Sequence, residues 1–282
     1  MRWLGAAGLA LVAAVATAGY VRASRRFAAE FAEVERHAPL SSPAARVEES
    51  DLGALPAPVA AYLRAVGVVG RLRVQDYRLQ FTGRIRSGTD TPWMPFEASQ
   101  RSFVGGPVRL FLMHARMRGL PVQAFHRYEG GRATMRVRLG GVIPVADAAG
   151  DVMDASETVT VLNDMSLLAP ATLLDPRIEW TALDDRSAQA RFTVNAHRVS
   201  ATLYFGEDGL LTDFVSDDRS RASDDGKSFT RMRFSTPVHE YREFDGLRLP
   251  AFAEARWQGA GVDFAYGEFR LREVSYDDGA RR

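Results

Sequence analysis

The chain has 282 residues, 46% of them hydrophobic and 25% charged, which excludes both a disordered polymer and a polytopic membrane protein. Its 36 basic and 35 acidic side chains leave a net charge of +1, so no global field draws it to nucleic acid. The absence of cysteine rules out disulfides, thiolate metal sites, iron–sulfur clusters and thiol catalysis.

Between Arg2 and Arg22 the stretch WLGAAGLALVAAVATAGYV carries no charge. As a helix rising about 1.5 Å per residue it is just long enough for a hydrocarbon core of about 30 Å, so residues 3–21 read as a membrane span. A cleaved signal peptide is the rival, because Ala16-Thr17-Ala18 fits a small-residue cleavage site. Arg22, Arg25 and Arg26 outnumber Arg2, which favours a cytoplasmic domain, whereas one short span before a large domain is the usual layout of an exported anchored protein. The reading adopted is a membrane-anchored protein with its domain on the extracytoplasmic side. Phe27, Phe31 and Val34 then continue an amphipathic helix to His37, and the prolines and serines after it end the helix. Residues 1–37 thus form anchor and helical extension, and 38–54 a linker.

Leu55-Pro56-Ala57-Pro58 opens a short helix whose apolar stripe is Val59, Tyr62, Leu63 and Val66, closed by Gly67. Period-two alternation dominates the chain beyond Gly67. Tyr77, Leu79, Phe81 and Ile85 face one way and Arg78, Gln80, Thr82 and Arg84 the other; the pattern recurs at Ala133–Leu139, Ala190–Val194 and Val199–Phe205. Turn chemistry falls between the runs at Gly130-Gly131, Asn195-Ala196, Asp208-Gly209, Asp225-Gly226 and Asp245-Gly246. In the last strand the apolar face switches parity between Tyr266 and Phe269, which predicts a bulge at Gly267 and a curved sheet. One helix interrupts the meander, with Val159, Leu162, Met165 and Leu168 at helical spacing within 156–168. The predicted architecture is mainly β (α+β): a strongly curved antiparallel sheet or half-barrel over residues 55–277, short helices on its concave face, an N-terminal transmembrane helix before it and a tail at 278–282.

The ordered segments LPAPVAAYLRAVGVVG, MPFEASQ, HRYEGGRATMRVRLGGVIPVADAAG, VLNDMSLLAPATLL, IEWTALDDRSAQARFTV and VHEYREFDGLRLPAFAEARW resemble an uncharacterised bacterial family of membrane-anchored proteins. The chain departs from that family's pattern at His126, where an aspartate is common, and at Asn163-Asp164, where a glutamate is common. The family's fold is similar to the half-barrel of periplasmic lipoprotein carriers of the LolA and LppX type, in which a curved sheet wraps helices around an apolar cavity. The resemblance implies lipid binding.

The search for catalytic motifs is negative. There is no Gly-x-Ser-x-Gly elbow, and Gly226-Lys227-Ser228 lacks the upstream glycine of a phosphate loop. The five histidines, at 37, 114, 126, 197 and 239, never take metal-ligand spacing, and the adjacent aspartate pairs read as turn punctuation. No catalytic residue, metal ligand or cofactor is therefore assigned. Trp93, Phe96, Phe103, Phe111, Met113 and Met117 form an apolar, adaptable set suited to lipid tails and are the candidate walls of a cavity. The functional expectation is a membrane-anchored binding module for a lipid or other hydrophobic small molecule, held by burial and dispersion. A hydrolytic enzyme using His126, Glu129 and Asp164, and a scaffold that binds nothing, stand as alternatives.

Overall fold

The computed structural model describes residues 2–37, 45–259 and 261–277, with side chains described from Thr17 to Tyr276 within those ranges. The helix α1 runs over Arg2–His37. Among the described residues no helix is long and apolar enough to cross a membrane. Most side chains of the expected span 3–21, the first part of the expected linker and the tail 278–282 fall outside the described residues. The later part of that linker is packed: Arg46 bridges Leu72, a 3-10 turn covers Glu49–Ala54, and Val47 and Leu52 are buried in the main core. Helix α2, Ala57–Val66, begins after Pro56 and ends on Gly67, whose φ of 86° is the left-handed cap that glycine adopts without strain.

Strands β1 (Asp76–Ile85), β2 (Met94–Phe103), β3 (Val108–Met117), β4 (Leu120–Glu129), β5 (Arg132–Leu139) and β6 (Ile143–Ala149) form a meander before helix α3, Asp151–Leu168. After α3 come β7 (Ile178–Asp184), β8 (Ser187–Val194), β9 (His197–Phe205) and β10 (Leu211–Ser216). A small hairpin of β11 (Ser220–Ala222) and β12 (Phe229–Arg231) leads to β13 (Arg233–Ser235), β14 (Val238–Phe244), β15 (Leu247–Gly259) and β16 (Val262–Asp277). All but β11 and β12 belong to one antiparallel sheet, ordered β6-β5-β4-β3-β2-β1-β16-β15-β13-β10-β9-β8-β7, with β14 also paired to β15.

The sheet curls around α3. That helix touches β5 and β6 near one end of the strand order and β9 and β10 near the other. In a flat sheet β5 and β9 would lie roughly 43 Å apart at about 4.8 Å per strand, four times the width of a helix. The hairpin turns at the same positions meet, Asn195 Nδ2 donating to the Gly130 carbonyl at 2.5 Å. The parity switch of the last strand is a bulge: Ala255 pairs with Gly267 and Arg256 with Ala265, so Tyr266 has no partner across the ladder. A Cβ on Gly267 would fall 2.7 Å from the Phe269 ring, so the bend needs glycine there.

The main core lies between α2, α3 and the concave face, where the alternating residues of β1, β8 and β9 are buried. The apolar residues do not all point to one side, however. Phe103, Val108, Leu110 and Phe125 face outward and make a second cluster with Phe27 and Val34 of α1, which lies across the convex face of β2–β4. Glu30 of α1 pairs with Arg136 at 2.6 Å and Arg127 at 3.2 Å, and Glu35 with Arg78 at 2.7 Å. Here the arginine face of the sheet anchors a helix.

The assignment of faces is checked by charge insertion. Leu79 is 1% exposed, so Leu79→Arg should abolish cooperative unfolding, whereas Arg78→Ser should cost about 1 kcal/mol or less, because its pairing with Glu35 is largely solvated. Urea denaturation of both variants measures the difference.

Candidate functional site

Between α3 and the concave face lies a cavity of about 380 Å³. Its apolar wall is built by Phe81, Phe111, Met113, Met135, Val137, Met153, Trp257 and Phe269. Phe111 and Met113 are thus the two expected wall residues that line it. Phe96 is buried beside the cavity, with its ring centroid 5.2 Å from that of Phe269. Trp93 lies before β2 under the guanidinium groups of Arg84 and Arg86, at 4.7 and 4.4 Å from its ring centroid. Phe103 belongs to the outer cluster under α1, and Met117 is exposed at the end of β3. Aromatic and methionine content selected these residues; strand parity separates Phe103 from Phe96, whereas Met117 shares the parity of Phe111 and Met113 and is exposed because it ends β3.

The wall is not purely apolar, contrary to the expectation of burial without an ordered polar site. Gln100, Arg109, His126, Glu157, Asn163, Asp164 and Arg219 converge on the same cavity. Arg109 donates from Nε to Asp164 Oδ2 at 2.6 Å, from Nη1 to Glu157 Oε2 at 3.3 Å and from Nη2 to Gln100 Oε1 at 3.2 Å. Gln100 Nε2 donates to Asp164 Oδ2 at 2.8 Å. His126 Nδ1 stands 3.7 Å from Glu157 Oε1, as does Arg219 Nη2. Arg219 donates from Nη1 to the Tyr266 hydroxyl at 2.8 Å and lies over the rings of Phe234 and Trp257. Its Nε and the Asn163 Oδ1 atom are buried without a hydrogen-bond partner among the described residues.

Helix geometry explains the assembly. Glu157 and Asp164 are seven residues apart, so they share a face of α3 about 10 Å apart along its axis, and their side chains lean together so that one guanidinium meets both carboxylates. The hydroxyls of Ser156, Thr158, Thr160 and Ser166 donate to carbonyls one turn earlier, which satisfies them inside the helix and allows a polar helix to be buried. Burial opposes the Glu157 charge, but the neighbouring His126, Arg109 and Arg219 outweigh it and hold the carboxyl at about 2.

The site has a direction. Arg109 stands opposite Ser102 and Tyr128, one residue from the end of the β2–β3–β4 ladders, and Phe111 opposite Gln100 and His126. Met113, Val137 and Phe81 lie further along the strands, and Ile85, Arg86, Val145 and Arg221 line the far end. There the β11–β12 hairpin reaches over the cavity. Arg221 donates to the Ser87 carbonyl at 2.6 Å, and a Cβ on Gly226 would meet the Asp147 carbonyl at 3.1 Å. The polar set is therefore deep, and the mouth lies between the β1–β2 loop, β6 and this hairpin.

Of the residues considered for hydrolysis, His126 and Asp164 line the cavity, while Glu129 is exposed and pairs with Arg127 at 2.5 Å. The trio is not assembled. Glu157, Arg109 and Arg219 were missed by sequence reasoning. The legible signal for Arg109 was its place on the inward parity of Phe111 and Met113; Glu157 could have been found as the polar residue one helical repeat before Asp164.

Because Glu157 ionises below the ordinary carboxylate value, its contribution to stability is fully present above about pH 4.5 and lost as pH falls toward 2. Glu157→Gln should flatten the fall of stability across that window. It should also lower stability at pH 7 by about 3 kcal/mol, because buried Arg109 and Arg219 lose a counter-charge. Urea midpoints measured from pH 2.5 to 7 test both effects.

No curated protein matches the chain. Among solved structures, the chain is similar to a LolA superfamily protein from Nitrosomonas europaea at 9% identity and TM-score 0.39, covering 79% of this chain and 94% of that one. A DUF1329 family protein from Desulfovibrio piger is 13% identical with TM-score 0.35 over 79% of this chain and 94% of that one. A domain described as an outer membrane lipoprotein-sorting protein, from Vibrio parahaemolyticus, is 7% identical with TM-score 0.39 over 73% of this chain and 87% of that one. The model of a family of unknown function, DUF6544, matches residues 45–269, which takes in β1 to β15 and the first half of β16, and the chain belongs to that family.

Proposed function

We propose that the protein is a binding module for an amphiphile, a lipid or similar molecule with one apolar tail and a small polar head. The observation that carries this reading is the cavity of about 380 Å³, in which an apolar wall of Phe81, Met113 and Val137 lies between a charged, hydrogen-bonding set at depth and a rim that carries Arg86 and Arg221. The tail lies along Phe81, Met113 and Val137, and the head meets Arg219 and Asn163, whose buried Nε and Oδ1 atoms await a partner. Arg109, Glu157 and Asp164 already saturate one another and act as the fixed floor. The curved sheet around α3 then works as a half-barrel carrier, anchored through residues 3–21 with its domain on the extracytoplasmic side. The uncharged stretch in the sequence supports the anchor.

Titration with fluorescent fatty acids of increasing length tests the cavity. Affinity should rise by about 0.8 kcal/mol per methylene until the cavity is filled. Met113→Trp should shorten the longest chain accepted and Arg219→Met should weaken binding at every length, while Trp93→Ala, which lies off the cavity, should change neither. Affinity that does not depend on chain length removes the carrier reading. For the anchor, deletion of residues 2–16 should move the protein from the membrane to the soluble fraction, and an unchanged distribution would remove the anchor.

A further inference from the structure

Among the described residues, five of the eleven exposed large apolar side chains gather at one end of the β1–β6 meander. Met117 and Leu120 flank the β3–β4 turn, and Val142, Ile143 and Val145 occupy the β5–β6 turn and the start of β6; they are between 36% and 55% exposed. Because β1 to β6 form an antiparallel meander, both turns and the β1–β2 loop lie at one end of the sheet. That end also holds the cavity mouth, since Ile85, Arg86 and Val145 line it. Arg116 and Arg118, beside the β3–β4 turn, have no carboxylate partner among the described residues.

Helix α1 leaves the sheet at the same place. Its Glu35 pairs with Arg78 and its Phe27 packs on Phe125, whereas the Tyr20 hydroxyl reaches His114 Nδ1 at 3.2 Å, near the turn. Gly19 lies so close to Val142 that a Cβ there would collide with it, and a Cβ on Gly141 would collide with the Tyr20 backbone. Before Gly19 the helix continues past the turns for about 25 Å, and its sequence from Trp3 to Val21 has no charge.

We propose that this end of the domain is a bilayer-docking surface. The two turns insert Leu120, Val142 and Ile143 into the interfacial layer, Arg116 and Arg118 meet anionic headgroups, and the cavity mouth opens onto the acyl region. A lipid surface fits better than a protein partner for two reasons. The apolar groups stand on separate projecting turns rather than on one flat face, and the β5–β6 turn touches an uncharged helix that leaves in the same direction. The docking goes beyond the amphiphile-binding reading, and the two fail separately.

The chain contains no cysteine, so single-cysteine variants of the full-length protein can carry an environment-sensitive fluorophore. Leu120→Cys, Ile143→Cys and, at the opposite end of the meander, Arg132→Cys are labelled and bound to phosphatidylcholine–phosphatidylglycerol vesicles containing brominated lipid. The expected result is quenching at 120 and 143 and none at 132. Equal quenching at all three, none at any, or no binding to vesicles overturns the proposal. The double variant Leu120→Asp plus Ile143→Asp should slow lipid uptake from vesicles by about tenfold while leaving fatty-acid affinity in solution unchanged; unchanged uptake also overturns it. Fatty-acid binding without selective quenching overturns docking alone, and selective quenching without fatty-acid binding overturns the carrier alone.

Discussion

Arg109 is buried with three acceptors, one each on Glu157, Asp164 and Gln100, and this network permits α3 to stand inside the sheet. A helix carrying Asp154, Glu157, Asn163, Asp164 and four hydroxyl residues at buried positions would otherwise be driven to solvent, because an unpaired buried charge costs several kcal/mol. The match is distributed over the fold. Arg109 comes from β3, Gln100 from β2, His126 from β4 and Arg219 from the segment before β11. Asp154 accepts from the Ala133 amide on β5 at 2.6 Å, and Thr158 Oγ1 lies 3.0 Å from the Tyr128 hydroxyl on β4. The curvature of the sheet is thus tied to the helix by polar contacts as well as by Val159 and Leu162, which are fully buried.

The same constraint explains what could be read in the sequence. Strand alternation in β1, β5, β8 and β9, the glycine turns and the bulge at Gly267 are local, and each arises from side-chain period or backbone sterics. The helix 156–168 was legible from Val159, Leu162 and Met165, although its first turn begins earlier, at Asp151. Its polar face was not legible as a site. On a lone helix Glu157 and Asp164 read as a solvated stripe, and only the return of the sheet over them makes that stripe an interior. Arg109 was hidden for a related reason: VRLFLMHARM is apolar on both parities, so a charged residue on the inward parity drew no notice.

That double-sided strand has its own cause in α1. Leu110 and Phe125 face away from the cavity and would be exposed without Phe27 and Val34 above them. Arginines of the convex face, which by alternation alone read as solvated, hold Glu30 and Glu35 in place. Such pairs, partly exposed, contribute little stability individually, but they fix the direction of the helix across the strands. That direction determines which end of the domain the N-terminal stretch leaves from.

Depth and direction together give the cavity a polarity that matches a lipid leaving a bilayer. In a membrane the headgroup is outermost and the tail points inward. A molecule drawn straight out enters a cavity headgroup first, its tail trailing towards the membrane. Here the deep charged set lies at the level of Arg109 and His126, and the apolar wall runs from Phe111 through Met113 and Val137 to Ile85 and Val145 at the mouth, where Arg86 and Arg221 form the rim. With the mouth against the bilayer, the amphiphile would keep its orientation from leaflet to cavity. It would exchange headgroup hydration for Arg219 and its neighbours only after most of the tail had left the membrane.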